Sequence, residues 1–161
     1  MIIRDEQPTD TAAIHKLITA AFAQATEAGL VDRLRADGDS VISLVAVERG
    51  KVVGHVQFSR MTAPFKALAL APVSVEPKLQ KSGIGGRLIY EGLRRAAEED
   101  WDAVFVLGDN AYYERFGFDP DLARGFASPY AGPHFMAIAL HGDLSATKGR
   151  VDYAPAFAAL G

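Results

Sequence analysis

The chain has 161 residues with a formal net charge of −3, and its length suits one domain with one sizeable core. The acidic balance argues against nucleic acid or an anionic membrane as a partner, and the lack of cysteine excludes disulfides, thiol nucleophiles and cysteine-ligated zinc. The first six residues are charged too early for a secretory signal, and no apolar run reaches the roughly 18 residues that cross a bilayer. We therefore expect a cytoplasmic protein that forms a single domain over residues 1–161.

Hydrophobic periodicity predicts strands and helices along the whole chain. A short strand and two helices come first, a hairpin follows, and a fourth strand leads into a long helix; a fifth strand, a short helix and a last strand complete the order. The predicted strands are residues 2–4, 41–47, 51–60, 67–75, 101–107 and 135–140. The first predicted helix has its N-cap at residues 8–10 and apolar residues at helical spacing from 14 to 22, and the others cover residues 27–36, 84–99 and 110–116. A long loop is expected from Phe118 to Pro133. This order predicts one α/β domain with a mixed sheet.

A glycine-rich turn lies between the predicted strand 67–75 and the predicted helix 84–99. It reads Gln80-Lys81-Ser82-Gly83-Ile84-Gly85-Gly86. Backbone N–H groups at the start of a helix are unpaired, and the helix dipole adds partial positive charge there. Lys81 and Arg87 are expected to add full charges at the same place. The turn therefore predicts a binding site for a phosphate group.

Two well-known nucleotide-binding motifs do not fit this turn. A P-loop needs Lys followed by Ser or Thr after its last glycine, whereas Arg87 and Leu88 follow Gly86. A dinucleotide-binding fingerprint needs a third glycine where this chain has Leu88, and it begins at the first strand of its unit. For the turn taken alone, the alternative is a structural connection that needs a positive φ at Gly83 or Gly85.

Several segments, in the same order, resemble the GNAT acetyltransferase superfamily. Residues 75–85 resemble its V-x-P-x-x-Q-x-x-G-x-G segment, and residues 113–118 resemble its Y-x-x-x-G-F segment. Residues 52–54 resemble the V-V-G of its third strand, and residues 107–118 match the L-G-D-x-x-Y-Y-x-R-F-G-F of a bacterial subgroup. The resemblance implies a single-domain GNAT-type fold, α/β or α+β, with a mixed central β-sheet flanked by helices and with strands 4 and 5 splayed apart.

The resemblance also implies acetyl-CoA as the acetyl donor. The glycine-rich turn is expected to hold its pyrophosphate, and the fourth strand is expected to pair with the pantetheine arm through its backbone. Backbone N–H groups of that strand are also expected to stabilise the oxyanion of the tetrahedral intermediate. The residues implied in cofactor binding are Val73, Ser74 and Val75 on the strand and Lys81, Ser82, Gly83, Ile84, Gly85, Gly86 and Arg87 at the turn.

Tyr113 is the implied acid that meets the departing thiolate, since it holds the tyrosine position of the Y-x-x-x-G-F segment. The alternative is Tyr112, which points about 100° away on a helix. Proton transfer from a phenol of pKa ~10 to a thiolate of pKa ~8.5 is uphill by about 2 kcal/mol, so a strong hydrogen bond counts for more than full transfer. Many family members carry Asn where this chain has Val106, and Asn110 is expected only to cap the short helix.

The general base is left open among three residues. A protonated amine must lose a proton before it attacks, and Glu76 at the end of the fourth strand, Asp109 and His55 are candidates, directly or through water. Of these three, Glu76 is the one predicted to be catalytic together with Tyr113. The remaining histidines lack the spacing of a ligand pair, so no metal is expected.

These features predict an acetyl-CoA-dependent N-acetyltransferase that transfers the acetyl group directly to a primary amine of a small molecule or peptide. The absence of cysteine and of a G-x-S-x-G elbow favours direct attack in a ternary complex. The alternative is a non-catalytic acyl-CoA sensor or partner-binding module of the same fold. Residues 118–133 and 27–36 are expected to wall the acceptor pocket. No nucleic acid or membrane partner is expected, and dimerisation, common in the superfamily, is left open.

Overall fold

A six-stranded mixed sheet lies at the centre of the computed structural model, which describes residues 1–160. The strands are β1 (Ile2–Asp5), β2 (Ser40–Glu48), β3 (Lys51–Arg60), β4 (Ala67–Val75), β5 (Ala103–Leu107), β6 (Phe126–Ala127), β7 (Phe135–Ala139) and β8 (Gly149–Arg150). The α-helices are α1 (Thr11–Phe22), α2 (Thr26–Ala36), α3 (Ile84–Glu98), α4 (Asn110–Glu114) and α5 (Pro120–Ala123). Short 3₁₀ helices cover Pro8–Asp10, Pro77–Leu79 and Pro155–Leu160.

Every element predicted from the periodicity is present, with bounds that shift by a few residues at most. The predicted loop from Phe118 to Pro133 is wrong in one respect, because it contains α5 and β6. The Asp119 carboxylate accepts a hydrogen bond from the Asp121 N–H at 2.8 Å and caps α5. β6 forms only by pairing in parallel with β8, more than twenty residues further along the chain, so no local pattern predicts it.

The strand order places β4 and β5 side by side with few links between them. The order is β1-β2-β3-β4-β5-β7, and the β4–β5 pair is parallel whereas its neighbours are antiparallel. Only residues 67–69 of β4 pair with residues 103–105 of β5. β4 continues to Val75 with no strand partner on that side. The expected splay of the fourth and fifth strands is confirmed, and a gap opens between them.

α3 covers one face of the sheet and forms the larger part of the core there. Its buried residues Ile84, Leu88, Ile89 and Leu93 pack against the apolar side chains of β2, β3, β4 and β5. Gly92 allows this close packing, because a Cβ at that position would collide with the Phe58 ring. The opposite face is covered by α1 and α2, which pack on Val45 of β2.

Candidate active site

The turn between β4 and α3 presents a row of open amides. Within residues 1–160, no acceptor contacts the backbone N–H groups of residues 81–86, and the first helical bond runs from Arg87 N to Gly83 O at 3.1 Å. Lys81 and Gly83 lie in the left-handed region with φ of 65° and 92°, so the chain turns sharply before the helix begins. These residues, 81–86, are called the amide cradle below. Open amides at the start of a helix are typical of an anion-binding site.

A groove of about 500 Å³ opens beside the amide cradle, a volume typical of small-molecule sites. The cradle glycines and Val75 line one side of it. The lining also includes three aromatic side chains, Tyr90, Tyr112 and Phe116. Every charged residue in its lining is cationic: Lys81, Arg87 and Arg115. The groove therefore suits a ligand that combines negative charge with an extended apolar part.

Two glycines of the cradle allow the aromatic side chains of Tyr112 and Phe116 to approach. A Cβ on Gly85 would lie 3.2 Å from the Tyr112 hydroxyl and 3.6 Å from Cγ2 of Val75. A Cβ on Gly86 would lie 3.5 Å from the Phe116 ring. Larger side chains at either position would fill the groove where the helix begins.

The register of β4 decides which backbone groups face the gap beside β5. Glu76 N donates to Val53 O at 2.8 Å, and Ser74 is paired with His55 on the same ladder. In an antiparallel pair, alternate residues point their N–H and C=O groups at the partner strand. The backbone of Ser74 therefore faces β3, and the backbone groups of Val73 and Val75 face the gap.

This register corrects the expectation for Ser74 as a backbone ligand of the cofactor, because its peptide groups are used in the β3 ladder. Val73 and Val75 keep the expected arrangement, with their side chains packed on the core under α3. The Val75 carbonyl accepts one hydrogen bond from Gln80 Nε2 at 3.2 Å and retains a second lone pair.

Tyr112 and Tyr113 occupy different places although they are adjacent. Their rings are perpendicular, with centroids 5.0 Å apart. Tyr112 lines the groove, whereas Tyr113 packs edge-on against Phe118 and lies over Gly108, where a Cβ would come within 2.5 Å of its ring. Burial, and then the neighbouring Tyr112, raise the pKa of Tyr113 to about 12, so its hydroxyl keeps its proton at neutral pH.

Glu76 and Asp109 do not line the groove. Glu76 lines a separate cavity of about 280 Å³, together with α1 residues and the start of β3. Asp109 is exposed, and its carboxylate caps α4 by accepting from Tyr112 N at 3.2 Å. The structure therefore keeps both predicted base candidates apart from the groove.

Asn110 is not the cap of α4, which corrects that expectation. Its amide instead donates to the Pro133 carbonyl at 2.9 Å, and its Oδ1 lies 2.6 Å from His134 Nδ1. These bonds tie α4 to the segment before β7. They hold the short helix in place over the groove.

His55 is fully buried in β3 and belongs to a polar network. Its Nε2 lies 2.9 Å from the Ser43 hydroxyl, which donates to Glu6 at 2.8 Å. Glu6 also accepts from Arg35 at 2.8 Å. Burial lowers the pKa of His55 to about 4, with Glu6 raising it and Arg35 lowering it by smaller amounts. The ring is therefore neutral at physiological pH.

Burial of neutral His55 is expected to make stability fall as the pH is lowered from 6.5 to 4. In that window the unfolded chain binds a proton at His55 that the folded chain does not, so the free energy of unfolding drops by up to about 3 kcal/mol. Chemical denaturation across this range, on wild type and on His55→Gln, measures the difference. An exposed control, His141→Gln, should keep the wild-type slope. Identical slopes for all three proteins would contradict this prediction.

Sequence reasoning missed Arg115 and Tyr90 as groove residues. Arg115 lies over the Tyr112 ring, 4.4 Å from its centroid, and donates to the Tyr112 carbonyl at 3.1 Å. Tyr90 packs edge-on against Phe116. In the predicted helix 110–116, helical spacing places residues 112, 115 and 116 on one face, and this is the signal that could have found Arg115.

Among residues 1–160, no group of three or more His, Cys, Asp or Glu side chains is arranged to hold a metal ion. No helix over the same residues is long and apolar enough to cross a membrane.

Comparison with known proteins gives consistent matches. The model of the "Acetyltransferase (GNAT) family" matches residues 11–118. The Escherichia coli (strain K12) protein "Uncharacterized N-acetyltransferase YhbS" is 40% identical over 123 residues, which are 74% of this chain and 74% of that protein.

Two solved structures share both fold and sequence with the chain. The crystal structure of the Escherichia coli GNAT family N-acetyltransferase YhbS in complex with CoA superposes with a TM-score of 0.93 at 34% identity, over 99% of this chain and 93% of that chain. A GNAT family acetyltransferase from Brucella melitensis in complex with acetyl-CoA superposes with a TM-score of 0.83 at 38% identity, over 97% of each chain.

Proposed function

The chain belongs to the GNAT acetyltransferase family, and from this premise we propose how it acts. It is an N-acetyltransferase that takes the acetyl group of acetyl-CoA and passes it directly to a primary amine of a small molecule or peptide, as one domain over residues 1–161. Relatives at 34% and 38% identity bind CoA and acetyl-CoA, which supports this donor. One observation carries the proposal: the amide cradle and the unpaired edge of β4 adjoin each other along one groove.

The cradle is proposed to bind the pyrophosphate of the donor. The N–H groups of Lys81, Ser82, Gly83, Ile84, Gly85 and Gly86 are open, and they lie at the positive end of the α3 dipole. Lys81, Arg87 and Arg115 are the cations that line the same groove. Phosphate oxygens placed there gain both amide hydrogen bonds and full positive charges.

The edge of β4 is proposed to bind the pantetheine arm and the thioester. Val73 and Val75 turn their peptide groups toward the gap, where an extended amide chain can pair with them as an added strand does. A backbone N–H at this edge also stabilises the oxyanion that forms as the amine attacks the carbonyl carbon.

Tyr113 is proposed to hold the departing thiolate by a hydrogen bond from its hydroxyl. The hydroxyl is protonated at neutral pH, since burial raises its pKa to about 12. The proton that the amine loses is proposed to pass to water and to the polar side chain that β4 presents to α1 and α2, which is Ser74. Glu76 stays a candidate for that step only through water, because it lines a different cavity.

Calorimetry with acetyl-CoA and an amine panel test the function in two stages. Acetyl-CoA is expected to bind with micromolar affinity, and thiol release is expected with at least one amine among polyamines, aminoglycosides, amino acids and short peptides. Absence of acetyl-CoA binding at high micromolar concentration would contradict the proposal. Binding without thiol release across the panel would favour the non-catalytic acyl-CoA sensor.

Replacement of Arg115 by alanine is expected to weaken acetyl-CoA binding about fivefold. The substitution removes one of the cations in the groove and its stacking on Tyr112, a loss of about 1 kcal/mol. Kd measured at two salt concentrations should also depend less on salt than in wild type. Arg124→Ala is the matched control, because Arg124 is exposed, pairs with Asp121 and lies outside the groove. Equal affinities for both variants would contradict the assignment of Arg115.

A further inference from the structure

Two of the buried polar atoms that lack a hydrogen-bond partner belong to residues that are directly paired across β3 and β4. Within residues 1–160 such atoms are His55 Nδ1, Ser74 Oγ, Gln57 Oε1, Ser59 Oγ and the Tyr153 hydroxyl oxygen. His55 and Ser74 are directly paired in the sheet, and both residues are almost fully buried. A buried polar atom without a partner is costly, so this pair marks a site where a water or a reacting group completes the bonding.

Both side chains lie on the sheet face opposite α3. The cross-strand row that contains them continues through Val45, which packs against α1 and α2, to Arg4 of β1. Side chains on a strand alternate, and the neighbours Val73 and Val75 point into the core under α3. Directly opposed residues have Cβ atoms about 4.5–5.5 Å apart, a spacing that one water molecule bridges.

The network behind His55 determines which ring nitrogen carries the proton. The Ser43 hydroxyl has a single proton, and it donates that proton to Glu6 at 2.8 Å. Its 2.9 Å contact with His55 Nε2 is therefore a bond that the ring donates. Neutral His55 thus has its proton on Nε2, and Nδ1 carries a bare lone pair beside Ser74.

The charged groups that face His55 are Glu6, which precedes the first helical turn, and Arg35 of α2. Glu6 lies at the far end of the Ser43 bridge, where Arg35 holds it by paired hydrogen bonds of 2.8 and 2.9 Å. A proton that arrives at Nδ1 creates a cationic ring, and the Glu6 carboxylate offsets that charge through Ser43.

Because α3 and its core fill the other face, the acceptor amine has to approach the thioester from this one, where the cavity lined by α1 residues and Glu76 lies. We propose that Ser74 and His55, supported by Ser43 and Glu6, form a proton shuttle for the acetyl transfer. The proposal rests on the proposed function. The Ser74 hydroxyl is the first group of the shuttle. Its neighbours Val73 and Val75 are the residues whose backbone groups are proposed to hold the thioester.

The shuttle moves one proton out and back. As the amine nitrogen bonds to the carbonyl carbon, its excess proton passes to Ser74 Oγ, while the Ser74 hydroxyl proton passes through the bridging water to His55 Nδ1. The C–S bond then breaks with its electron pair on sulfur. The proton returns by the same route to the thiolate, which Tyr113 holds by a hydrogen bond. The ring regains its neutral form with the proton on Nε2.

Ser74→Ala is the variant that tests the shuttle, and Ser59→Ala is its matched control. Ser59 is also a buried serine without a hydrogen-bond partner, and its partner on β4 is Ala69 rather than a residue with an ionisable side chain. At saturating acetyl-CoA and with the amine that turns over fastest in the panel, Ser74→Ala is expected to lower kcat about tenfold without changing Kd for acetyl-CoA. Ser59→Ala is expected to keep the wild-type kcat. A purely structural role predicts equal kcat for both variants, and that result would overturn the shuttle.

The tautomer of His55 gives a readout that does not depend on turnover. Nitrogen NMR of ¹⁵N-histidine protein is expected to show a neutral ring protonated on Nε2, with an Nδ1 signal that shifts in Ser74→Ala and stays in place in Ser59→Ala. A ring protonated on Nδ1 would overturn the shuttle whether or not the enzyme turns over. Absence of turnover in wild type would instead contradict the proposed function, so the two failures are distinguishable.

Discussion

Acetyl-CoA binding is expected to be lost in Gly83→Glu, with Kd raised at least about 100-fold. Gly83 is the N-cap of α3 with φ of 92°, and no atom lies within 4 Å of a Cβ placed there. The variant therefore folds, at a strain of about 1–2 kcal/mol. Its carboxylate lies next to the open amides, where repulsion of a pyrophosphate across about 4 Å costs about 4 kcal/mol at an effective dielectric constant of ~20.

Gly50→Glu separates the charge from the strain. Gly50 has a similar φ of 75° in the β2–β3 turn, also with no atom within 4 Å of a Cβ, and it lies outside the groove. Both variants should lose a similar amount of stability in thermal denaturation, and only Gly83→Glu should lose binding in calorimetry. If Gly83→Glu bound acetyl-CoA with wild-type affinity, the proposal that the cradle binds the pyrophosphate would be contradicted.

Tyr113→Phe is expected to lower kcat about 30- to 100-fold and to leave Kd for acetyl-CoA unchanged. The hydroxyl is the only group removed, and the ring keeps its packing on Gly108 and Phe118. Loss of one well-placed proton donor to a leaving group typically costs on the order of 10²-fold. Steady-state kinetics and calorimetry on the same preparation measure the two quantities.

Tyr112→Phe is the matched control for this prediction. Tyr112 lines the groove, and its hydroxyl lies 3.2 Å from the Cβ position of Gly85, so its loss is expected to weaken cofactor binding a few-fold and to keep kcat within about threefold of wild type. The opposite pattern, with kcat lost in Tyr112→Phe and kept in Tyr113→Phe, would assign the hydrogen bond to Tyr112.

The elements and the amide cradle were predictable because their signals are local. The spacing of apolar residues that predicts a strand or a helix involves only residues close together in the sequence. β4 and α3 are examples, and their bounds match the prediction closely. A helix begins with unpaired amides, so residues 80–87 alone were enough to predict an anion site, and in the structure no acceptor contacts the N–H groups of residues 81–86. The family motifs added the donor and the tyrosine position.

Features that depend on strand register were decided only by the tertiary structure. The peptide groups of Ser74 face β3, whereas those of Val73 and Val75 face the gap. This alternation could not be predicted from the sequence, because it depends on which residue of β3 each residue of β4 opposes. The same register turns the Ser74 side chain toward His55, a pairing of residues nineteen positions apart.

The separation of the base candidates from the groove also required the folded chain. Glu76 follows directly on β4, yet it lines a cavity against α1, and Asp109 is engaged as a helix cap. Arg115 lines the groove at the end of α4, and α4 is positioned by the hydrogen bond from Asn110 to the Pro133 carbonyl, in the segment before β7. By itself the sequence determined the local elements, the amide cradle and the chemistry of the donor. Tertiary structure decided which side chains meet across strands and helices, because such contacts follow from long-range pairing that no local pattern encodes.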